Sequence, residues 1–192
     1  QVGERVAVIG LGLLGLLAVE IAQAAGCAVF GVDIDPQRVE LAGLLGASAV
    51  VRPEAESAGA GFSQGRGFDT VLICADSKSD DPVELAGALA RDRGTVVAVG
   101  AVGMTLPRKV YYEKELQFLI SRSYGPGRYD ARYEEEGRDY PYGYVRWTEG
   151  RNMQAVVDLM AAGQLNVERL ITHRFPIDQA AEAYDLITGK KK

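Results

Sequence analysis

The segment that decides the fold is RVAVIGLGLLG, residues 5–15. Its first half, residues 5–9, is the continuous apolar run expected of a strand buried on both faces. Directly behind it, Gly10, Gly12 and Gly15 form the pattern G-x-G-x-x-G. The first glycine permits a tight turn from strand to helix, the second lets a pyrophosphate approach the backbone, and the third lets the helix pack on the strand. The segment therefore predicts a phosphate-binding turn that opens a strand–helix–strand unit.

An acidic residue, Asp33, ends the next apolar run, residues 29–33. A carboxylate at this point can accept hydrogen bonds from the 2′- and 3′-hydroxyls of an adenosine ribose, and it repels a 2′-phosphate. The phosphates would lie against the free N–H groups of the helix that starts at the glycine turn. The pattern predicts a nicotinamide dinucleotide, with NAD favoured over NADP. Arg38 keeps NADP open, because it can pair with a 2′-phosphate as well as bind at the ribose beside Asp33.

Composition limits the classes of partner. The chain has 192 residues, is 47% hydrophobic and carries a net charge of −5, which suits one globular domain over residues 1–192 and no basic surface for nucleic acid or anionic membrane. The apolar stretch at residues 11–25 is too short to span a bilayer and contains Glu20 and Gln23. We expect a cytoplasmic protein whose partners are small molecules or proteins.

Few residues of this chain are candidates for catalysis or metal binding. Cys27 and Cys74 have apolar neighbours and no metal-site or disulfide spacing, so they are predicted to be reduced core residues. The single histidine, His173, has no acid or metal partner in its local sequence. We therefore predict no catalytic residue and no metal ligand in this chain.

Short Val/Ile/Leu runs alternate with helical segments along the chain. Strands are predicted over residues 5–9, 28–32, 49–51, 68–74, 94–99 and 116–123, with a short extended piece over 171–174. Helices are predicted over residues 13–25, 36–45, 54–62, 82–90, 152–162 and 177–188. Asp81 is the predicted N-cap of the fourth helix, and residues 190–192 are predicted to fray. The pattern indicates an α/β fold with a doubly wound, six-stranded parallel sheet, the Rossmann fold.

Four stretches resemble the cofactor-binding half of the medium-chain, zinc-type alcohol dehydrogenases. They are GERVAVIGLGLLG (residues 3–15), GVDID (31–35), GFDTVLI (67–73) and ITHRFPIDQAAEAYD (171–185). The resemblance runs nearly from end to end. SYGPGRYD (123–130) and GYVRWT (143–148) are more specifically similar to two-part oxidoreductases that continue into a sugar-dehydrogenase-like half.

The resemblance implies an NAD(P)-dependent oxidoreductase that transfers hydride between nicotinamide and an alcohol, a polyol or a sugar-derived carbonyl. In that family a separate barrel-like domain holds the catalytic zinc ligands, so we expect this chain to be an excised domain that binds the cofactor but hardly turns over. Zinc is expected only in the missing domain. Because family members often extend the sheet across a dimer, a homodimer is also expected.

The resemblance also implies cofactor contacts beyond Gly10, Gly12, Gly15, Asp33 and Arg38. Cys74 and Ala75 would lie near the adenine-side ribose and the cofactor bridge, Val99, Gly100 and Ala101 would line the nicotinamide, and the backbone of Arg122 and Tyr124 would hold its carboxamide. The predicted cofactor-binding set is completed by Leu11, Leu13, Leu14 and Ile34.

Two rival functions remain open. A non-catalytic nucleotide sensor, like the cytoplasmic domains that regulate potassium channels, uses the same glycine turn and acid, and a pure assembly module would keep the turn without binding a nucleotide. The segment from Tyr124 to Arg151, rich in tyrosine and arginine, has three interpretations. It can anchor a long loop over the sheet, form a partner interface or contact substrate.

Overall fold

The computed structural model describes residues 1–189. The tail that was predicted to fray, residues 190–192, lies outside the described residues. The strands are β1 (Arg5–Ile9), β2 (Ala28–Asp33), β3 (Ser48–Val51), β4 (Phe68–Ile73), β5 (Ala90–Ala98) and β6 (Gln117–Ile120). The helices are α1 (Leu13–Ala24), α2 (Pro36–Leu44), α3 (Ala55–Ser63), α4 (Asp81–Leu89), α5 (Arg108–Glu113), α6 (Ala131–Glu134), α7 (Glu149–Ala161) and α8 (Ala180–Ile187). Single 3-10 turns occupy Arg52–Glu54, Val167–Leu170 and Ile177–Gln179.

The six strands form one parallel sheet in the order β3-β2-β1-β4-β5-β6. The order reverses at β1, which pairs with β2 on one side and with β4 on the other. Ligands of open α/β sheets bind at such a switch point, beyond the carboxyl ends of the strands. The structure therefore confirms the predicted fold class and places the glycine turn, which follows β1, at the centre of that edge.

The core consists of two layers because side chains alternate across a strand. On β1, Ala7 and Ile9 face one buried cluster, while Val6 and Val8 face the other. The first cluster contains Phe30 and Phe68, whose ring centroids lie 5.4 Å apart. Both faces of the sheet are thus covered, as the continuous apolar runs predicted.

Most helices and strands have the predicted positions, and local chemistry explains their ends. Helix α2, for example, begins at Pro36, and the carboxylate of Asp35 caps it by accepting a 2.9 Å hydrogen bond from the amide of Gln37. A proline in the first turn has no N–H to leave unpaired, and Asp is a favoured N-cap.

Several details of the structure differ from the prediction. Strand β5 starts at Ala90 instead of residue 94, because a bulge around Arg93, which has φ +57°, takes up the charged residues that hid the strand. The N-cap of α4 is Asp80, and Asp81 is already the first helical residue. Ile171, in the predicted extended piece 171–174, has extended backbone angles, and this piece pairs with no strand of the described sheet. The last predicted helix, residues 177–188, is present as a 3-10 turn that leads into α8. Helices α5 and α6 were not predicted.

Within residues 1–189, no helix combines the length and the apolar character that crossing a bilayer requires. Cys27 and Cys74 are both free thiols and are partly rather than fully buried. Burial raises the pKa of the Cys74 thiol to about 11.

Candidate cofactor site

The glycine turn is shaped by close backbone contacts at Gly10 and Gly15. Gly10 has φ +93°, and a Cβ placed on it would lie 2.5 Å from the amide nitrogen of Ala75, the residue that follows Cys74 after β4. A Cβ on Gly15 would overlap the carbonyl oxygen of Gly10 and would lie 2.9 Å from its carbonyl carbon. Both positions therefore require glycine for packing, independently of any ligand.

Gly12 differs from its two partners. It is the N-cap of α1 with extended backbone angles, and a Cβ placed on it meets no atom within 4 Å. Since the fold does not need a glycine here, the open space above Gly12 fits the close approach of a phosphate.

The first turn of α1 presents free donors beside Gly12. The amide of Leu16 donates to the carbonyl of Gly12 at 2.9 Å, which is the first hydrogen bond of the helix. The amides of residues 13–15 come before it and have no acceptor within the helix. No acidic residue lies in this turn. Leu13 and Leu14 are exposed there. The positive end of α1 is therefore open to an anion.

Asp33 links the end of β2 to the glycine turn. Its side chain is nearly buried, with 5% of the residue exposed. One carboxylate oxygen accepts a 2.5 Å hydrogen bond from the amide of Leu11, and the other accepts a 2.9 Å bond from the amide of Asp35. The guanidinium of Arg38 lies 3.7 Å from Asp33 and 3.7 Å from Asp35. The carboxylate is thereby held in a fixed orientation beside the glycine turn.

These residues surround a cleft of about 530 Å³ at the carboxyl edge of the sheet. The predicted residues that line it are Gly10, Gly12, Asp33, Ile34, Arg38, Cys74 and Ala75. Leu11 is fully buried in the second core cluster. It takes part in the site through its amide, not its side chain.

The predicted nicotinamide end is held against β4 by backbone contacts. The amides of Val99 and Gly100 both donate to the carbonyl of Ile73 at 2.9 Å. A Cβ on Gly100 would overlap the carbonyl oxygen of Ala75, and the carbonyl of Ala101 accepts a 2.9 Å bond from the amide of Ser77. Ala75 therefore contacts both Gly10 and Gly100, so the ends of β1, β4 and β5 converge.

Arg122 and Tyr124 lie beyond β6, among other aromatic residues. The guanidinium of Arg122 stacks over the ring of Tyr129 at 4.7 Å, and that of Arg128 lies 5.1 Å from the ring of Tyr124. The carbonyl of Tyr124 accepts a 2.9 Å hydrogen bond from the side-chain amide of Asn152. Their backbone role at a carboxamide stays a prediction.

The cleft also contains residues that sequence reasoning missed, above all Arg52 and Asp81. The Arg52 guanidinium binds the Asp81 carboxylate through Nε, at 2.9 and 3.1 Å, and through Nη2, at 2.6 Å. The one signal in the sequence was position, since Arg52 follows a short predicted strand and must lie at its carboxyl end. Asp81 had been predicted only as an N-cap.

The tyrosine- and arginine-rich segment from Tyr124 to Arg151 is held together by its own side chains. The rings of Tyr133 and Tyr140 stack with centroids 5.6 Å apart, and the Tyr140 hydroxyl donates a 2.6 Å hydrogen bond to Asp130. That bond lowers the pKa of the Asp130 carboxyl and raises the pKa of the Tyr140 hydroxyl. These contacts favour the anchoring interpretation of this loop.

Two residues near α7 complete this anchoring. Thr148 is fully buried and caps α7, and its hydroxyl lies 3.3 Å from the hydroxyl of Tyr133. Arg151 donates to the carbonyl of Tyr140 at 2.9 Å and also to the carbonyl of Val145 and the carboxylate of Asp139. Tyr144, in contrast, is 92% exposed. The other two interpretations of the loop therefore apply only to such outer side chains.

Among residues 1–189, no three or more His, Cys, Asp or Glu side chains are grouped so that they could hold a metal ion. His173 is exposed, with its ring Nδ1 2.9 Å from the hydroxyl of Thr172 and its ring 6.1 Å from that of Phe175. The described residues thus do not fit a zinc ion.

The fold and the glycine turn together define an α/β domain of the Rossmann type. The family model described as zinc-binding dehydrogenase matches residues 14–136. The chain belongs to this zinc-binding dehydrogenase family.

Similar proteins are dehydrogenases and reductases. The chain is 29% identical over 200 residues to probable D-xylulose reductase A of Aspergillus clavatus, covering 98% of this chain and 48% of the relative. It is 25% identical to L-threonine 3-dehydrogenase of Bacillus licheniformis, covering 96% of this chain and 48% of that protein. The chain therefore spans about half the length of the curated relatives it matches.

Among solved structures, alcohol dehydrogenase TADH from Thermus sp. ATN1 superposes with a TM-score of 0.71 at 27% identity, covering 99% of this chain and 49% of that one. 2R,3R-butanediol dehydrogenase from Bacillus subtilis has a TM-score of 0.74 at 22% identity, covering 97% and 48%. At that identity the second match shows the fold alone. The comparisons favour the dehydrogenase interpretation over the nucleotide-sensor one.

Proposed function

We propose that this chain binds NAD(H) in the cleft and acts as the cofactor-binding part of a longer oxidoreductase. The observation that carries the proposal is the buried carboxylate of Asp33, oriented by the amides of Leu11 and Asp35 beside the glycine turn. A charged acceptor fixed at this point can take the ribose hydroxyls while the pyrophosphate lies on the amides at the start of α1.

The charges of the cleft support NAD over NADP. Asp33, Asp76 and Asp81 line it together with Arg38 and Arg52, and each arginine already lies beside carboxylates. A 2′-phosphate would have to approach Asp33, and two anions in a partly desolvated cleft repel each other. Arg38 then serves the ribose side, where its guanidinium lies 3.7 Å from the carboxylates of Asp33 and Asp35.

The reaction class follows from the family. The bound cofactor supplies or accepts the hydride, and the protein supplies binding and orientation. In this chain Val99, Gly100 and Ala101 would form the backbone wall beside the nicotinamide, and Arg122 and Tyr124 would bind its carboxamide through their backbone. No side chain of this chain is assigned the transfer of the substrate proton.

The substrate class is an alcohol, a polyol or a sugar-like carbonyl. It rests on the names of relatives, which include a D-xylulose reductase, an alcohol dehydrogenase from Geobacillus stearothermophilus and a D-arabitol-phosphate dehydrogenase from Enterococcus avium. Since the chain matches about half of each, activity belongs to the longer protein that we propose.

A homodimer formed through the edge of the sheet is part of the same proposal. Strand β6 is the last strand in the sheet order, and Leu119 and Ile120 on it are exposed. An exposed apolar edge strand is a template for pairing with a second copy. Sedimentation velocity at several concentrations checks it, with Ile120→Lys expected to shift the chain to monomer.

Calorimetric titration of the 192-residue chain with NADH and with NADPH tests the cofactor. The wild-type chain should bind NADH more tightly than NADPH. Asp33→Asn keeps an oxygen for the amide of Leu11 but removes the negative charge. We therefore expect the affinity for NADH to fall about tenfold or more and the difference between the NADH and NADPH affinities to become smaller. Asp158→Asn, on the exposed side of α7 where Asp158 bonds Gln154, is the matched control and should leave both affinities unchanged.

Two results would contradict the proposal. Equal or tighter NADPH binding by wild type would assign the cleft to NADP and Arg38 to the 2′-phosphate. Binding of neither dinucleotide by the folded chain would favour the assembly module instead.

A further inference from the structure

Arg52 lines the cleft, but the proposed binding of the ribose by Asp33 and of the pyrophosphate by the first turn of α1 does not involve it. It follows β3 directly and opens the 3-10 turn Arg52–Glu54. Its side chain is 27% exposed and lines the same cleft as Asp33. A partly buried cation at the edge of a ligand cleft has lost much of its hydration, so its placement calls for a reason.

Asp81 holds the Arg52 guanidinium by one edge. Nε and Nη2 point to the carboxylate at 2.6 to 3.1 Å, while Nη1 lies 3.9 Å from Glu56. These hydrogen bonds raise the pKa of the Arg52 guanidinium, so it stays charged. A guanidinium bound by its edge keeps its planar faces available for stacking, and its orientation is set before a ligand arrives.

Sheet order indicates which part of a dinucleotide reaches Arg52. The glycine turn follows β1, Asp33 ends β2 and Arg52 follows β3, and these three strands are neighbours in that order. With the pyrophosphate at the turn and the ribose at Asp33, the group that extends further toward β3 is the base on the other side of that ribose.

We propose that Arg52, held by Asp81, forms a wall of the adenine subsite and stacks on the base through its guanidinium plane. The inference rests on the proposed binding of a dinucleotide in this cleft. Arg52 is then a binding residue for the adenine, and Asp81 is a positioning residue that acts through it. A planar cation on a purine face is a favourable, sequence-tolerant contact.

The test compares ligands that contain or lack adenosine. NADH and ADP-ribose carry the adenine, whereas reduced nicotinamide mononucleotide lacks it. Each is titrated by calorimetry into wild type, Arg52→Met, Arg52→Lys and Asp81→Ala. Arg93→Met, which breaks the remote 2.6 Å ion pair of Arg93 with Glu115, is the matched control, and thermal unfolding reports the fold of every variant.

For Arg52→Met we expect NADH and ADP-ribose to weaken by the same factor, roughly threefold to thirtyfold, with the mononucleotide unchanged. Arg52→Lys keeps the charge but not the plane, so it should resemble Arg52→Met. The affinities of Asp81→Ala for NADH and ADP-ribose should lie between those of wild type and Arg52→Met. Arg93→Met should bind all three ligands as wild type does. A merely structural role of the pair would instead shift the unfolding midpoint and affect all three ligands alike.

Several results would overturn the inference while leaving the proposed function intact. One is wild-type NADH affinity in folded Arg52→Met. Another is full affinity in Arg52→Lys, which would make charge, not stacking, the contact. When NADPH is titrated into the same variants, a loss of affinity confined to NADPH would assign Arg52 to a 2′-phosphate. Failure of wild type to bind either NADH or ADP-ribose would refute the proposed function itself, and the inference with it.

Discussion

Alanine substitutions at Gly15 and Gly12 should distinguish the role of the glycine turn in packing from its proposed role in ligand binding. A methyl group at Gly15 overlaps the carbonyl oxygen of Gly10 and comes within 2.9 Å of its carbonyl carbon. Both are backbone atoms that cannot swing aside, so α1 must move away from β1. A methyl group at Gly12 meets nothing within 4 Å. Gly15→Ala is therefore expected to lower stability, and Gly12→Ala is its matched control.

The expected magnitude follows from overpacking. Forcing a methyl group into a close-packed site costs about 1 to 3 kcal/mol, and the clash here is with backbone, so we expect about 3 kcal/mol for Gly15→Ala. In a chain of this length that is a drop in Tm of roughly 6 to 12 °C. Gly12→Ala loses only the small preference for glycine over alanine at an N-cap, within about 1 kcal/mol.

Urea unfolding and calorimetry on the same samples measure both effects. Gly12→Ala should unfold close to wild type yet bind NADH at least tenfold more weakly, because its methyl group occupies the space proposed for the pyrophosphate. Gly15→Ala should be less stable than wild type both in the absence and in the presence of NADH. Equal destabilisation by the two substitutions would refute the packing argument, and wild-type NADH affinity in Gly12→Ala would refute the proposed approach of the pyrophosphate.

Three further outcomes are expected. Thr148→Val removes the buried cap of α7 and leaves the amide of Arg151 without its acceptor, so urea unfolding should show a loss of about 1 to 2 kcal/mol; an unchanged midpoint would contradict the role of the cap. Tyr140→Phe removes the bond that lowers the pKa of Asp130. Its stability deficit should be present above about pH 4 and disappear as pH falls through the lowered pKa, and a deficit that grows in acid would have the wrong sign. With a pKa of about 11, Cys74 is about one part in a thousand thiolate at pH 8. In a Cys27→Ser background, iodoacetamide should therefore modify it roughly a hundredfold more slowly than free cysteine, and comparable rates would show that it is not buried.

The elements around the site were predictable because their signals are local. Residues 5–15 contain a strand, a turn and the start of a helix whose contacts lie within a few positions, and Asp35 with Pro36 marks the start of α2 in the same way. The positive φ of Gly10 and the cap at Gly12 belong to the same local class. Fold class and the geometry of the glycine turn followed from these short-range patterns.

The errors arose where distant contacts decide. Strand β5 begins at Ala90 because Ala90 pairs with Phe68 across a register shift, which charged residues 91–93 conceal. Hydrophobic periodicity reports which residues prefer burial, and it carries no information on which partner is present.

By itself, the sequence determined the parallel α/β sheet, the glycine turn and the acid at the end of β2, because each depends on chemistry within a few residues. Only the tertiary structure decided that Ala75 contacts both Gly10 and Gly100, and that Arg52 meets Asp81 across the cleft. These pairs come from different strands and helices, and they meet only because strand order and register carry their backbones to one edge of the sheet. Register is a property of the packed sheet and not of any single segment.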